Sequence, residues 1–259
     1  MTVLRRLLAH PRTRHLDIDN PSVTELRREI IHQNRFLWQI YDQWYRRMAA
    51  AVPSGEGSVV ELGSGAGFLD DYLPACISTD IFPVANLGLV CDGQAMPFAS
   101  GSLRALLMVD VFHHVPDSRA LLQEAARCLR PGGVMVMNEP WVTPWSRLIY
   151  QNLHHEPFID DATRWGFDTT GPLSGANIAL PWIVFERDRD QFEAEYPQWR
   201  VRRIQPHTPF RYLVSGGVSM RQLMPGWTFP LWTGLEHLLS PARHWLGMFA
   251  LIELERRAG

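Results

Sequence analysis

Apolar and polar positions follow two different rhythms along this chain. Between residues 22 and 51, Ile30, Leu37, Trp44 and Ala51 recur every seven residues, with Tyr41 and Met48 filling the same stripe. That spacing is helical. It predicts one helix over 22–51, broken afterwards by Pro53, Ser54, Gly55 and Gly57. Residues 1–21 carry no such pattern and are expected to be irregular. Beyond the break, short unbroken apolar runs take over. Residues 58–62, 76–80, 87–91, 105–110 and 134–138 read as buried strands. Between them, 68–73 reads as a short helix halted by Pro74, and 117–129 as a longer one with Leu121, Leu122, Ala125 and Leu129 on one face. Asp117 or Ser118 can cap that helix, and Arg130-Pro131-Gly132-Gly133 ends it.

Strand and helix alternating, with strands apolar on both sides, imply an α/β fold with a mostly parallel sheet covered by helices on both faces. Ligands of such sheets bind beyond the carboxyl ends of the strands. Each expected strand finishes on or just before a carboxylate: Glu61, Asp80, Asp92, Asp110 and Glu139. The remainder, 141–259, is less regular and rich in Trp and Pro, with further strands expected at 200–205 and 248–255. The chain divides on this reading into a helical cap (1–54), a ligand-binding core (55–140), and a substrate lid whose final strands complete the same sheet (141–259).

Composition narrows the partners. All 25 cationic side chains are Arg, so a lysine nucleophile or Schiff base is excluded. A net charge of −2 and the lack of a basic arm with interleaved aromatics argue against nucleic acid as a partner. Cys76, Cys91 and Cys128 are odd in number and lack a CxxC spacing, so they read as reduced core residues. With no secretory signal, a cytoplasmic location is expected. Charge-free stretches such as 169–185 are interrupted by Gly and Pro, so no membrane span is expected.

The most informative segment is Val59-Val-Glu-Leu-Gly-Ser-Gly-Ala-Gly-Phe68. A strand runs into Gly63, Ser64, Gly65 and Gly67, where missing Cβ atoms let backbone N–H groups approach a ligand. The sixth position of a dinucleotide fingerprint would be Gly, and here it is Phe68. Glu61 would repel a diphosphate and suits a cationic ligand. Asp80, 19 residues past Glu61 and followed by Ile81, stands where an acid accepts ribose hydroxyls. Asp92 could accept from an adenine amino group, with Gly93 and Met96 against the ring. Any one of these acids is equally consistent with turn chemistry after a strand. Their order, together with the loop, points to a nucleoside site.

Taken in sequence, ELGSGAG, the acid in STDIFP, CDGQAMPF, LLMVDVFHHVPD and CLRPGGVMVMNEP resemble the successive motifs of class I S-adenosylmethionine-dependent methyltransferases. The likeness spans roughly 55–140 and is nearest to the group containing ubiquinone-pathway and small-molecule enzymes. It implies a Rossmann-like seven-stranded sheet whose last strand is antiparallel, and S-adenosyl-L-methionine as cofactor. It further implies Glu61, Gly63 and Gly65 at the methionine part, Asp80 at the ribose, Asp92 and Gly93 at the adenine, and Asp110 at the methyl end. Tyr41 resembles residues that close over the cofactor, a core role being the alternative. Ser102-Leu103-Arg104 departs from the family's Ser-Phe-Asp and puts local packing in question.

Methyl transfer needs alignment and, for a hydroxyl or acidic carbon, a base. His114, just past the fourth strand, is the expected base; its alternative is shaping the pocket. His155 and Glu156, preceded by His154, could form a base and its orienter. Adjacent histidines rarely share a metal, so none is expected there. The acceptor is expected to be a small molecule, including a sugar- or lipid-linked one, methylated on oxygen or carbon. The segment 221–245 reads as a buried lid helix, with peripheral contact to a membrane or lipid-linked acceptor as the alternative. The rival functions are a nicotinamide-dependent oxidoreductase, disfavoured by the loop spacing and Glu61, and a methyltransferase-like scaffold without catalysis.

Overall fold

A computed structural model describes residues 8–13, 20–84, 87–169, 171 and 175–258. The expectation of irregular backbone over 1–21 falls largely outside these residues. Seven strands form one sheet in the order β3-β2-β1-β4-β5-β7-β6. They are β1 (Ser58–Leu62), β2 (Cys76–Asp80), β3 (Leu89–Val90), β4 (Leu103–Val109), β5 (Leu129–Pro140), β6 (Trp199–His207) and β7 (Phe249–Arg256). β1 to β5 pair in parallel, while β7 runs antiparallel to both β5 and β6. This is the Rossmann-like sheet with an antiparallel final strand that the resemblance implied. The switch in strand order falls between β1 and β4, so their carboxyl ends frame the expected crevice.

Side-chain alternation divides the core in two. Val59, Ala105, Leu107, Val134, Val136 and Leu251 face one layer. Val60, Leu106, Met108, Met135, Met137 and Ile252 face the other. The first layer is covered by α1 (Pro21–Gln33) and α2 (Arg35–Ala51). The second is covered by α3 (Ser118–Cys128) and by a helical passage, Leu180–Trp182 and Ile183–Arg187, leading into α5 (Arg189–Glu195). Between β5 and that passage lies α4 (Pro144–Leu153), opened by a capping box between Thr143 and Ser146.

Three expectations need correction. The single helix over 22–51 is two helices: Asn34 leaves helical geometry and its side chain accepts from the Leu37 N–H, capping α2. An apolar heptad cannot reveal such a break, because the stripe continues in phase across it. The helix after the glycine loop is only one 3₁₀ turn, Leu69–Asp71. Finally, 221–245 is not a buried lid helix. α7 (Phe229–Leu238) buries Glu236 and turns Leu231, Leu235 and Leu238 outward, with Trp227 and Leu238 each 75% exposed. Glu236 is drawn inward because it pairs with buried Arg211 at 2.5 Å and accepts from the Phe210 and Arg211 N–H groups. That Arg211 opens α6 (Arg211–Ser215). Arg104, the departure from the family pattern, donates to the Gly57 and Pro53 carbonyls and ties β4 to the turn before β1. Among the described residues, no helix is long and apolar enough to cross a membrane.

Candidate functional site

A cavity of about 570 Å³ opens at the carboxyl ends of β1, β2 and β4. Its size suits a nucleoside-sized ligand with room for a second small molecule.

The loop after β1 forms one wall. Gly63 and Gly65 have positive φ, 63° and 44°, and a Cβ on Gly63 would lie 2.5 Å from the Val111 side chain. Only glycine allows this close turn against the end of β4. A Cβ on Gly67 would meet the Tyr45 hydroxyl oxygen at 2.3 Å, so α2 packs directly on the loop. Beneath the loop, burial pushes the Glu61 carboxyl up to about 8, against the opposing hydrogen bond from Ser64. Asp80, at the end of β2, accepts from the Gly65 N–H at 3.0 Å and the Phe82 N–H at 2.9 Å. Burial raises its pKa in spite of those bonds. Each carboxylate oxygen keeps a further lone pair for a ligand hydroxyl. Ile81 and Gly93 also line the cavity. Asp92 does too, but it is exposed and caps its own turn by accepting from the Gln94 N–H at 2.9 Å. Both readings of that residue, ligand acceptor and turn former, therefore describe one carboxylate.

Asp110 lines the cavity beside Val111, which abuts Gly63. It is a non-glycine residue in the left-handed region, φ 55°, at the end of β4. Its buried Oδ1 has no hydrogen-bond partner. Burial lifts its carboxyl to about 8, with Glu139 and Glu156 adding to the rise against His113. An orphaned carboxylate oxygen of this kind suits a cationic ligand group. Tyr41 on α2 lines the cavity while packing against Trp44 and Phe68, so it serves core and wall together. Burial, and then the Asp110 carboxylate, push its phenol pKa upward.

The far wall is crowded with imidazoles and carboxylates. Glu139, ending β5, accepts from the Val111 and Phe112 N–H groups, both at 2.8 Å, and from His113 Nδ1 at 2.8 Å. His113 Nε2 lies 3.5 Å from Glu156 Oε2, and His114 Nε2 lies 3.6 Å from Glu156 Oε1. His155 Nε2 is 3.4 Å from the same Oε1, and His154 Nδ1 accepts from the Glu156 N–H. Burial opposes a charge on His113, but its bonds to Glu139 and Glu156 outweigh this and push it up to about 10. Burial, reinforced by the neighbouring His113, drives His114 down to about 4. Glu156 is buried, which alone would raise it; the imidazoles of His154, His113 and His114 win and hold it well below the carboxylate range.

Residues 60–137 match the family model described as a methyltransferase domain. A tRNA (carboxymethyluridine(34)-5-O)-methyltransferase of Mus musculus is 32% identical over 141 residues, covering 44% of this chain and 21% of that protein. The ubiquinone/menaquinone biosynthesis C-methyltransferase UbiE of Desulfotalea psychrophila is 27% identical over 166 residues, covering 56% of this chain and 65% of that protein. These curated relatives are thus spanned over only about a fifth to two thirds of their own length. A Haloferax volcanii methyltransferase, solved in complex with the activator Trm112, superposes with a TM-score of 0.52 at 16% identity, over 90% of this chain and 98% of that one. At that identity the match speaks for the fold alone. Residues 60–137 are thus similar to a methyltransferase domain.

Of the residues singled out from the sequence, Tyr41, Glu61, Gly63, Ser64, Gly65, Asp80, Ile81, Asp92, Gly93, Asp110, His114, His155 and Glu156 line one cavity, while Met96, expected against the adenine, does not line it. His113 was not among them, although it joins Glu139 to Glu156 across the far wall. Nothing in the pair His113-His114 tells which ring joins a carboxylate 26 residues further on. His114, the expected base, has its pKa depressed by burial and then by the neighbouring His113. The segment after β6 was missed as well: Tyr212, Leu213 and Val218 complete the cavity rim.

Proposed function

We propose that this chain transfers a methyl group from S-adenosyl-L-methionine to an oxygen or carbon of a small-molecule acceptor, with both held in the one cavity. The observation that carries this reading is the cavity's polarity. The glycine loop and Asp80 lie at one end, the His113–His114–Glu156 cluster at the other, and the unpartnered Asp110 Oδ1 between them.

Bound cofactor supplies an electrophilic sulfonium methyl and a neutral thioether leaving group. Asp80 accepts the ribose hydroxyls, and the Gly63–Gly65 backbone with Glu61 and Asp110 receives the methionine part and its positive charge. Asp92 and Gly93 border the adenine, and Tyr41 closes the wall above. The residues at the opposite end would align the acceptor's nucleophilic atom with the methyl group that the cofactor would supply. The proton the acceptor loses goes to the Nε2 of His114. That ring stays neutral down to about pH 4, since its Nδ1–H donates to the Gly175 carbonyl and its Nε2 keeps a lone pair. Glu156, beside it, favours the imidazolium that results. His155 borders the same carboxylate. Residues 141–259 act as a lid: α4 and the strap through Gly175–Asn177 bring Glu156 and the His114 partner over the core, while β6 and β7 complete the sheet.

The acceptor is not a polynucleotide on this reading, given the chain's net charge of −2 and the imidazole-lined recess. The test is consumption of the methyl donor by purified protein across phenols, hydroxylated sugars and lipid-linked intermediates. Product formation with one such class supports the reading. Methylation confined to nucleic acid would overturn the acceptor assignment.

A further inference from the structure

We propose that His113 Nε2, His114 Nε2 and the Glu156 carboxylate form a binding site for one divalent transition-metal ion, whose open coordination positions take the oxygen of the methyl acceptor. The ligand atoms all lie within 4.8 Å of one another. The two imidazole–carboxylate separations, 3.5 and 3.6 Å, are close to what an ion demands. Around a tetrahedral ion with bonds of about 2.1 Å, neighbouring ligand atoms sit roughly 3.4 Å apart.

Donor bookkeeping at the rings is the second observation. His113 Nδ1 faces Glu139 Oε2 and His114 Nδ1 faces the Gly175 carbonyl, and both partners can only accept. Each Nδ1 must therefore carry the hydrogen, which directs the Nε2 of each ring at the two oxygens of Glu156. Without an ion, His113 Nε2 carries a proton toward Glu156 Oε2 while His114 Nε2 faces Oε1, and a metal ion would displace that proton. A cation belongs there, as a proton or as a metal. Metal-bound histidines characteristically donate their other N–H to a carboxylate or backbone carbonyl, and here one does each. Glu139 is fixed in turn by two backbone N–H groups. Such support shells hold a ligand set rigid before the ion arrives.

The donor set selects the ion. Two imidazoles and one carboxylate suit Zn²⁺, Fe²⁺, Co²⁺ or Ni²⁺ over the oxygen-seeking Mg²⁺ and Ca²⁺. His154 is not in the set, because its Nδ1 accepts the Glu156 N–H. All three ligands line the cavity, so the remaining coordination positions face its interior. With an ion bound, an acceptor hydroxyl would have its pKa lowered and release its proton to water, so His114 Nε2 is the proton acceptor of the ion-free cluster and a ligand of the ion-bound one. This favours an oxygen nucleophile. The role in catalysis rests on the methyltransferase reading, but metal binding does not.

The test uses the full chain stripped with a chelator and titrated with Zn²⁺ by calorimetry and with Co²⁺ by visible absorption. One equivalent should bind, with d–d bands of a nitrogen–oxygen site and no thiolate charge-transfer band from Cys76, Cys91 or Cys128. Glu156→Gln and His114→Ala, checked for folding by circular dichroism, should each weaken binding by about tenfold to a hundredfold. Asp80→Ala should leave metal affinity unchanged while weakening S-adenosylhomocysteine binding, which separates this site from the cofactor reading. Binding of neither metal to wild type, or binding indifferent to both cluster variants, would overturn the proposal even if S-adenosylhomocysteine binds normally. Failure of S-adenosylhomocysteine to bind, with metal binding intact, would instead remove the cofactor reading and leave the site.

Discussion

The two ends of the cavity solve different problems with different materials. The loop end is built from backbone: glycines at positive φ, strand-end amides, and single carboxylates spaced along separate strands. The far end is built from side chains packed against one another, with four imidazoles around Glu156 and Glu139 behind His113. A backbone cradle depends on local sequence, since each strand carries its own loop. A side-chain cluster depends on tertiary structure, since residues from 113 to 156 must be brought together by α4 and the strap at 175. The first should tolerate distant change and fail on local change. The second should be sensitive to everything that positions the lid.

The largest expected effect separates the ends by function. His114→Gln should lower turnover by about 10²-fold or more while S-adenosylhomocysteine affinity stays within threefold. Steady-state turnover and calorimetry on the same preparation check this. An affinity loss as large as the turnover loss would merge the two ends into one binding unit. Next comes the cofactor end. Asp80→Ala removes a carboxylate already oriented by the Gly65 and Phe82 N–H groups. It should weaken S-adenosylhomocysteine by roughly thirtyfold, on the order of 2 kcal/mol. Unchanged affinity in a folded variant would show that β2 does not carry the ribose site.

A smaller effect concerns the loop's conformation. Gly63→Ala places a Cβ 2.5 Å from Val111 at a φ of 63°. It should destabilise the fold by about 1–3 kcal/mol, visible as a lower Tm, and loosen the cofactor end. A Tm equal to wild type would mean that the loop yields easily. The smallest expected effect is a pH dependence. Glu61 has a folded-state pKa raised by burial to about 8, above its ordinary value of 4.5. The folded state therefore holds the proton more tightly than the unfolded chain, and this contribution is fully present below pH 4.5. It is lost as pH rises through about 8. Tm of the ligand-free protein should decline over that window, and Glu61→Gln should flatten the decline. An identical slope in the variant would assign the pH dependence to other groups.

The same contrast explains what the sequence disclosed. Strands β1, β4 and β7 lie within a residue or two of where apolar runs placed them, because a strand buried on both faces leaves a nearly unbroken apolar run. Their terminal acids were equally visible, being fixed to the strands that position them. The break at Asn34 was not, since capping is a matter of one side chain and one N–H while the apolar stripe runs on. Glu156 was noticed beside His154 and His155, yet its encounter with His113 and His114 depends on how the chain after α4 returns to the end of β4. The outward face of α7 eluded composition for a related reason. Leu231, Leu235 and Leu238 look like core, but the Arg211–Glu236 pair decides which side is buried. Periodicity tells that a face is apolar and not what it meets.

Calorimetric titration of the purified chain with S-adenosylmethionine, S-adenosylhomocysteine and NADH decides which nucleoside ligand the cavity holds. The geometry of the glycine loop, Glu61, Asp80 and Asp110 predicts saturable one-to-one binding of both sulfur ligands and none of NADH. Binding of NADH alone would contradict this, because Glu61 and the unpartnered Asp110 Oδ1 gain a partner from a cationic ligand and none from a diphosphate.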